Sequence, residues 1–192
     1  MNYQFLIVVD AQNDFITGEL GSEEAQKAVP KIVKKIFTHF GPIIATADTH
    51  SGSEYLNTFE GKKLPVLHCV EDSEGWKIQK DILAAMFVHG DYLGYVKKNT
   101  FGSFDLVDVI NNYIKSKKTI DNNNLVAPAD MKPEFTLVGF CTDICVISNA
   151  LILRAAFPES KITIVKNCCA GTTIGRHRDA LNVAKSCQID VV

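Results

Sequence analysis

The sequence has no long uninterrupted apolar segment and almost no excess of charge of either sign. The N-terminal apolar run ends at Asp10 and has no basic residue before it, so it fits neither a secretory signal nor a membrane span. A net charge of −2 offers no electrostatic attraction for nucleic acid or for anionic lipid. We therefore expect a cytoplasmic protein that acts on a small molecule and has neither a nucleic-acid nor a membrane partner.

Cysteine is also scarce, with six residues in a chain of 192. This number is too low for a disulfide scaffold of such length, and no paired C-x-x-C spacing of a zinc site occurs, so we expect reduced thiols. The sequence shows neither an internal repeat nor a boundary in composition. It therefore predicts a single domain over residues 1–192, large enough to fold without stabilising disulfides.

Several apolar runs end in a polar residue, which is typical of buried strands that emerge at one edge of a parallel sheet. Helical spacing of apolar residues separates these runs, and alternating strands and helices favour parallel pairing through right-handed crossovers. The sequence thus predicts a three-layer α/β/α sandwich with a mostly parallel, Rossmann-like sheet. Ligands of such sheets bind beyond the carboxyl ends of the strands. Four candidate residues follow such ends: Asp10, Asp48, Lys98 and Cys145.

Cys145 is the candidate nucleophile, because the apolar run 134–140 passes into an alanine-bearing apolar stretch without a linker. We interpret this junction as a strand followed at once by a helix. In the first helical turn, free backbone N–H groups and the macrodipole favour a thiolate. The alternative is that Cys145 is a small, inert core residue, as free cysteines commonly are.

Four blocks of sequence resemble those of a known family, in the same order and at similar spacing. They are Val9-Asp10-x-Gln12-x-Asp14-Phe15, Asp48-Thr49-His50, Lys98-x-x-Phe101 and Gly139-x-Cys141-Thr142-Asp143-x-Cys145-Val146. The chain resembles the isochorismatase-like cysteine hydrolases, and their nicotinamidase branch in particular. The resemblance runs nearly end to end and implies the isochorismatase-like hydrolase fold, although it does not align the segment 115–133.

The resemblance implies a catalytic triad of Asp10, Lys98 and Cys145. In such a triad the thiolate attacks an amide carbonyl, the carboxylate carries the proton and the ammonium stabilises the anionic groups. The resemblance further implies a cis peptide between Phe140 and Cys141. It also implies an oxyanion hole formed by the backbone N–H groups of Cys141 and Cys145.

A divalent metal ion beside the nucleophile is a further implication of the resemblance. The positions of its ligands fall on Asp48, His50 and His68, and Glu60 can supply a fourth. This set of two nitrogen and two oxygen donors suits zinc, the first candidate, as well as manganese or iron. Taken singly, Asp48 could be a capping carboxylate and His68 an ordinary loop histidine.

The substrate implied by the resemblance is a small amide, with nicotinamide, cleaved to nicotinate and ammonia, as the first candidate. We expect Phe15, Phe101 and Phe140 to line its pocket, with Phe101 or Trp76 replacing an aromatic residue of the family whose position is Pro65 here. One alternative is hydrolysis of a carbamoyl or ureido compound by the same triad. Another is a non-catalytic protein that binds a ligand or senses thiol chemistry. Relatives are commonly homo-oligomers, so an oligomer is possible for this chain.

Overall fold

A six-stranded parallel sheet organises the protein, whose computed structural model describes residues 3–117, 120–121, 124–125 and 132–192. The order of its strands is β3-β2-β1-β6-β7-β8, and a short antiparallel pair, β4 and β5, lies outside the sheet. The strands are β1 (Gln4–Val9), β2 (Ile43–Asp48), β3 (Tyr92–Lys98), β4 (Ile120–Asp121), β5 (Asn124–Leu125), β6 (Glu134–Phe140), β7 (Ile162–Ala170) and β8 (Asp190–Val191).

Helices cover both faces of the sheet. They are α1 (Asn13–Ile16), α2 (Glu23–Phe37), α3 (Phe59–Lys63), α4 (Lys80–His89), α5 (Phe104–Ser116), α6 (Ile147–Ala156) and α7 (Ile174–Ser186), with a 3₁₀ helix at Gly52–Asn57. Side chains of β1 alternate between the two cores: Leu6 and Val8 pack with α2 and α4, whereas Phe5, Ile7 and Val9 pack with α5, α6 and α7. The predicted three-layer sandwich with a parallel sheet is confirmed.

The structure decides where helix α2 begins. The apolar spacing from Ala25 to Phe37 predicts a helix that either begins at Pro30 or is kinked there, and the helix begins at Glu23 with Pro30 inside it. The hydroxyl of Ser22 accepts a hydrogen bond from the N–H of Ala25 and caps the first turn. Two acidic residues follow this cap, where the helix dipole favours them.

Other boundaries differ by short segments. The polar stretch 11–21, with two glycines, predicts a loop but contains α1, and the glycine-bearing segment 51–75 predicts irregular structure but contains the 3₁₀ helix and α3. The apolar run 161–165 predicts a strand, and this strand, β7, continues to Ala170. The segment 115–133, rich in lysine and asparagine, predicts a surface connection, and about half of it lies outside the described residues. No helix in the described ranges is both long enough and apolar enough to cross a bilayer.

Parallel pairing brings four polar strand ends to one edge of the sheet. Strand β1 hydrogen-bonds to β2 on one side and to β6 on the other, and β2 in turn pairs with β3. Asp48 and Lys98 are direct register partners at the ends of β2 and β3. Asp10 follows β1 directly and Cys145 follows β6, so all four candidates lie at the carboxyl edge.

Candidate active site

Three side chains far apart in sequence meet at this edge of the sheet. The Lys98 Nζ lies 2.7 Å from Oδ2 of Asp10 and 3.5 Å from Sγ of Cys145. All three side chains are buried, and Cys145 retains a 4% exposed fraction that faces the adjoining cavity. The ammonium therefore contacts both the carboxylate and the sulfur within one water-poor pocket.

Asp10 is positioned by the neighbouring strand. The Thr46 hydroxyl donates a hydrogen bond of 2.6 Å to Oδ1 of Asp10, and the N–H of Asp10 lies 3.2 Å from the same hydroxyl oxygen. Burial raises the pKa of Asp10, and the ammonium of Lys98 opposes that rise. Oδ2 of Asp10 therefore keeps the Lys98 ammonium as its partner, at 2.7 Å.

Lys98 serves two carboxylates at once. Its Nζ also lies 3.3 Å from Oδ1 of Asp48. Burial lowers the pKa of Lys98, but the negative charges around it, first that of Asp10, outweigh burial and leave the pKa above its ordinary value. Lys98 is accordingly a permanent cation at neutral pH.

Cys145 occupies a π-helical turn, Thr142–Val146, that precedes α6. Its carbonyl oxygen accepts a hydrogen bond of 2.8 Å from the side-chain amide of Asn149. Burial first, and then Asp10, raise the pKa of the Cys145 thiol well above its ordinary value, although Lys98 lowers it. This direction is opposite to the one expected for a helix N-terminus, so the thiol needs a base, which Asp10 can supply.

The backbone before Cys145 is tightly fitted against β1. The peptide between Phe140 and Cys141 is cis, as the resemblance implies. Gly139 has a φ of +120°, and a Cβ atom there would lie 1.9 Å from the carbonyl oxygen of Val9. Only glycine fits this position, because any side chain would collide with the neighbouring strand.

Four candidate metal ligands converge beside the triad: Asp48, His50, Glu60 and His68. Each offers a ligand atom, and these atoms all lie within 4.8 Å of one another. The Nε2 atoms of His50 and His68 lie 3.0 Å and 3.5 Å from Oδ2 of Asp48. Backbone hydrogen bonds explain the convergence, since the N–H of His50 donates to the carbonyl of Cys69, next to His68.

The chemistry of this group fits a divalent cation. Nδ1 of His68 lies 2.8 Å from the carbonyl oxygen of Val66, so we assign its proton to Nδ1. The lone pair of Nε2 then points toward the carboxylates of Asp48 and Glu60, an arrangement that a shared cation stabilises. Burial raises the pKa of Asp48, but its interactions with both histidines and with Lys98 outweigh burial and leave the pKa below its ordinary value.

Metal content is a direct check of this group. We expect the protein, purified without added metal or chelator, to contain about one divalent ion, and Glu60→Gln or His68→Ala to weaken its retention against a chelator by at least about tenfold. Elemental analysis with chelator competition measures this, with Glu54→Gln, an exposed residue outside the group, as control. Metal below a tenth of an equivalent, without rescue of activity by added ions, would count against the site.

Two buried polar residues to which the sequence analysis gave no role hold the metal-ligand group in position. Gln12 holds the backbone of Asp48 from both sides: its Nε2 donates to the Asp48 carbonyl and its Oε1 accepts from the Asp48 N–H, each at 2.8 Å. Asp14 accepts a 2.7 Å hydrogen bond from the N–H of Cys69 and so fixes the loop that carries His68. Gln12 and Asp14 belong to the first motif, which is the signal that could have identified them.

A cavity of about 1100 Å³ opens above the triad and the metal-ligand group. Phe15 and Phe101 line it, as predicted. Phe140 does not: its side chain is fully buried in the core that packs against α2, so its predicted role in the pocket is wrong. Trp76 lines a second cavity of about 720 Å³ and donates a hydrogen bond to Thr49, so Phe101 is the better replacement for an aromatic residue at Pro65.

Comparison with known proteins identifies the family. A family model described as the isochorismatase domain matches residues 4–192. The chain belongs to the isochorismatase family. Membership in this family makes the protein an isochorismatase-like hydrolase. A search of curated protein sequences finds no match.

Solved structures show how closely the isochorismatase-family fold is kept. Nicotinamidase/pyrazinamidase of Bacillus subtilis is 21% identical with a TM-score of 0.77, and the alignment covers 99% of both chains. Pyrazinamidase of Pyrococcus horikoshii, solved in complex with zinc, is 21% identical with a TM-score of 0.69 over 98% of both chains. N-carbamoylsarcosine amidase of Thermoplasma acidophilum is 18% identical with a TM-score of 0.68, over 98% of this chain and 95% of the other. These similarities establish the fold alone.

Proposed function

We propose that this isochorismatase-family chain is a single-domain cysteine amidohydrolase that binds a divalent metal and cleaves a small amide, with nicotinamide as the first candidate. The observation that carries the proposal is the ammonium of Lys98, which touches both the carboxylate of Asp10 and the sulfur of Cys145 below an open cavity. A buried acid, base and nucleophile in one cleft are the arrangement that covalent catalysis requires.

The first half of the reaction forms a thioester. Oδ2 of Asp10 takes the proton of the Cys145 thiol, and the sulfur attacks the amide carbonyl carbon to form a C–S bond. The backbone N–H groups of Cys141 and Cys145 stabilise the resulting oxyanion, a contribution of about 3 kcal/mol for each well-placed donor. Asp10 then returns the proton to the nitrogen as the C–N bond breaks, and ammonia leaves.

The second half regenerates the thiol. Asp10 removes a proton from a water molecule, whose oxygen attacks the thioester carbon and displaces the sulfur. Asp10 then passes this proton to the departing sulfur, so the products are the carboxylic acid and the Cys145 thiol. Throughout both halves Lys98 remains protonated and offsets the negative charge that moves between Asp10 and Cys145.

The metal ion would be held by Asp48, His50, Glu60 and His68. When bound, it supplies a Lewis-acidic anchor for a heteroatom of the substrate, such as a ring nitrogen, and thereby orients the amide. Gln12 keeps Asp48 in place for this purpose through its two backbone hydrogen bonds. Zinc, manganese and iron all suit these ligands.

A carbamoyl or ureido compound is the second candidate substrate. The cavity, at about 1100 Å³, is at the upper end of the range for small-molecule sites and has room for more than a single pyridine ring. Pro65 also stands where the nicotinamidase branch has an aromatic residue, and Pro65 is not among the residues that line the cavity. Both observations favour a substrate that does not depend on a tight aromatic slot.

An ammonia-release panel tests the proposed reaction. We expect ammonia and equimolar nicotinate from nicotinamide, or ammonia together with equimolar carbon dioxide and amine from at least one carbamoyl or ureido compound, because the carbamic acid formed from such a compound decarboxylates. Rapid alkylation of Cys145 by iodoacetamide, without turnover of any amide in the presence of zinc, manganese or iron, would overturn the proposal in favour of a thiol-sensing protein. The panel thus separates the enzymatic hypothesis from the non-catalytic one.

A further inference from the structure

The wall of the substrate cavity carries two cations that lack carboxylate partners. Three carboxylates line the cavity, but Asp48 and Glu60 belong to the metal-ligand group and Glu71 is paired with Lys97. Arg176 and Lys63 line the same cavity, and neither has a carboxylate within 4.0 Å in the part of the chain that the structure describes. Apart from the metal-ligand group and Glu71, the charged side chains of the described cavity wall are therefore both cations.

Arg176 is connected to the turn that carries the nucleophile. The N–H and the hydroxyl of Thr172 donate hydrogen bonds of 2.8 Å and 2.6 Å to the two carboxylate oxygens of Asp143. Asp143 lies in the turn Thr142–Val146, two residues before Cys145. Nη1 of Arg176 in turn donates a long hydrogen bond of 3.5 Å to the hydroxyl oxygen of Thr172. The side chains of Thr172 and Asp143 therefore connect the guanidinium group to the turn that contains Cys145.

The other cation, Lys63, has a weaker claim to a ligand. Lys63 is the last residue of the short helix α3, and its ammonium lies over the ring of Phe59, 5.8 Å from the ring centre. A compact ammonium on a flexible stem attracts any anion, whereas a planar guanidinium matches the two oxygens of a carboxylate. Arg176 is therefore the residue suited to a defined contact with a carboxylate.

We propose that the substrate carries a carboxylate in addition to the amide that is cleaved, and that Arg176 binds this carboxylate. The inference rests on the proposed amidohydrolase function, since it assigns the class of substrate to the same cavity. The substrate spans the cavity, with its amide carbonyl at Cys145 and its acidic end at the guanidinium. Arg176 is a specificity-determining residue and takes no part in bond breaking.

Matched pairs of substrates test this assignment. One pair is dinicotinic acid monoamide and nicotinamide, and the other is N-carbamoyl-β-alanine and propylurea; in each pair only the first carries the extra carboxylate. We expect kcat/KM to be at least about tenfold higher for the acidic member of the pair that is turned over, the factor of one charge-assisted contact at a partly solvated position. Equal or faster turnover of the neutral member would overturn the inference.

Two arginine variants separate the contact from general charge. Arg176→Met should raise KM for the acidic substrate about tenfold, with kcat nearly constant and the neutral substrate unaffected, because the lost interaction is made equally in the ground and transition states. Arg178→Met is the matched control, since Arg178 is exposed in the same helix, as Arg176 is, but does not line the cavity. An equal loss for both substrates in Arg176→Met, or the same loss in Arg178→Met, would refute the assignment.

A binding measurement keeps this inference distinct from the proposed function. By calorimetry, dinicotinate should bind about tenfold more tightly than nicotinate, and Arg176→Met should abolish the difference, as should high salt. If this preference is found but no amide is hydrolysed, the proposed reaction fails and the carboxylate site stands. If amides are hydrolysed without any preference in binding or in kcat/KM, the reaction stands and the carboxylate site fails.

Discussion

Cys145→Ala is expected to lower amide hydrolysis by at least about ten-thousand-fold, the loss typical of removing a nucleophile that acts as one unit with its base. Among the described thiols, only Cys145 has its sulfur within hydrogen-bonding distance of Lys98, and Cys145 also lines the cavity. The measurement is ammonia release under single-turnover and steady-state conditions. Intact mass after brief reaction with substrate should show an acyl adduct on the wild-type protein only.

A buried thiol outside the cavity provides the control for Cys145→Ala. Cys168 is buried in the core at the end of β7, and its replacement by alanine should leave turnover within about twofold of wild type, since it removes only a small packing group. Both variants should retain the wild-type metal content and circular dichroism. If Cys145→Ala kept a tenth or more of wild-type activity, another group would have to be the nucleophile.

Asp10→Asn should have the second-largest effect, a loss in kcat of about a thousandfold, within the range for a positioned general base. The amide cannot take the proton of a thiol whose pKa is raised by burial. Because Asp10 itself raises the pKa of the Cys145 thiol, the variant should react with iodoacetamide at a lower pH than the wild type, although it no longer turns over amide. The pH at which alkylation reaches half its maximal rate separates loss of the base from loss of the fold.

A double variant controls for the buried charge of Lys98, which loses its partner Asp10 in Asp10→Asn. The single substitution leaves the Lys98 ammonium with Asp48 as its only carboxylate within 4.0 Å among the described residues, which could cost about 3 kcal/mol of stability. Asp10→Asn with Lys98→Met removes both charges and should recover thermal stability without recovering activity. Recovery of both in the double variant would indicate that the pair has a structural role only.

The sequence predicted the site best where a charged residue directly ends an apolar run. Apolar runs that close on Asp10, Asp48 and Lys98 predict strands of a parallel sheet, and parallel strands necessarily deliver their carboxyl ends to one edge. The family resemblance then assigned Glu60 and His68 to a group whose ligand atoms the fold brings within 4.8 Å. Local pattern and global topology agreed at these positions.

Contacts that depend on the packing of distant elements left no such signal. Thr46 lies in a strand whose six residues are all buried, and a β-branched residue is expected there whether or not its hydroxyl reaches Asp10. Phe140 lies five residues before Cys145 in sequence, yet its side chain packs in the core on the opposite face of the sheet, with α2 and α4. The direction of the Cys145 pKa likewise depends on burial, which a helix-terminus argument does not include.

The ammonium of Lys98 lies 2.7 Å from Asp10 and 3.3 Å from Asp48, so the same charge interacts with the proposed base and with the metal-ligand group. Substitutions at Asp10 and at Asp48 should consequently show epistasis, since each changes how much of one positive charge is left for the other. Replacement of Asp48 should accordingly change the reactivity of the Cys145 sulfur as well as the metal-ligand group, because it leaves Lys98 with one carboxylate fewer. Specificity and reactivity are thus expected to evolve together here.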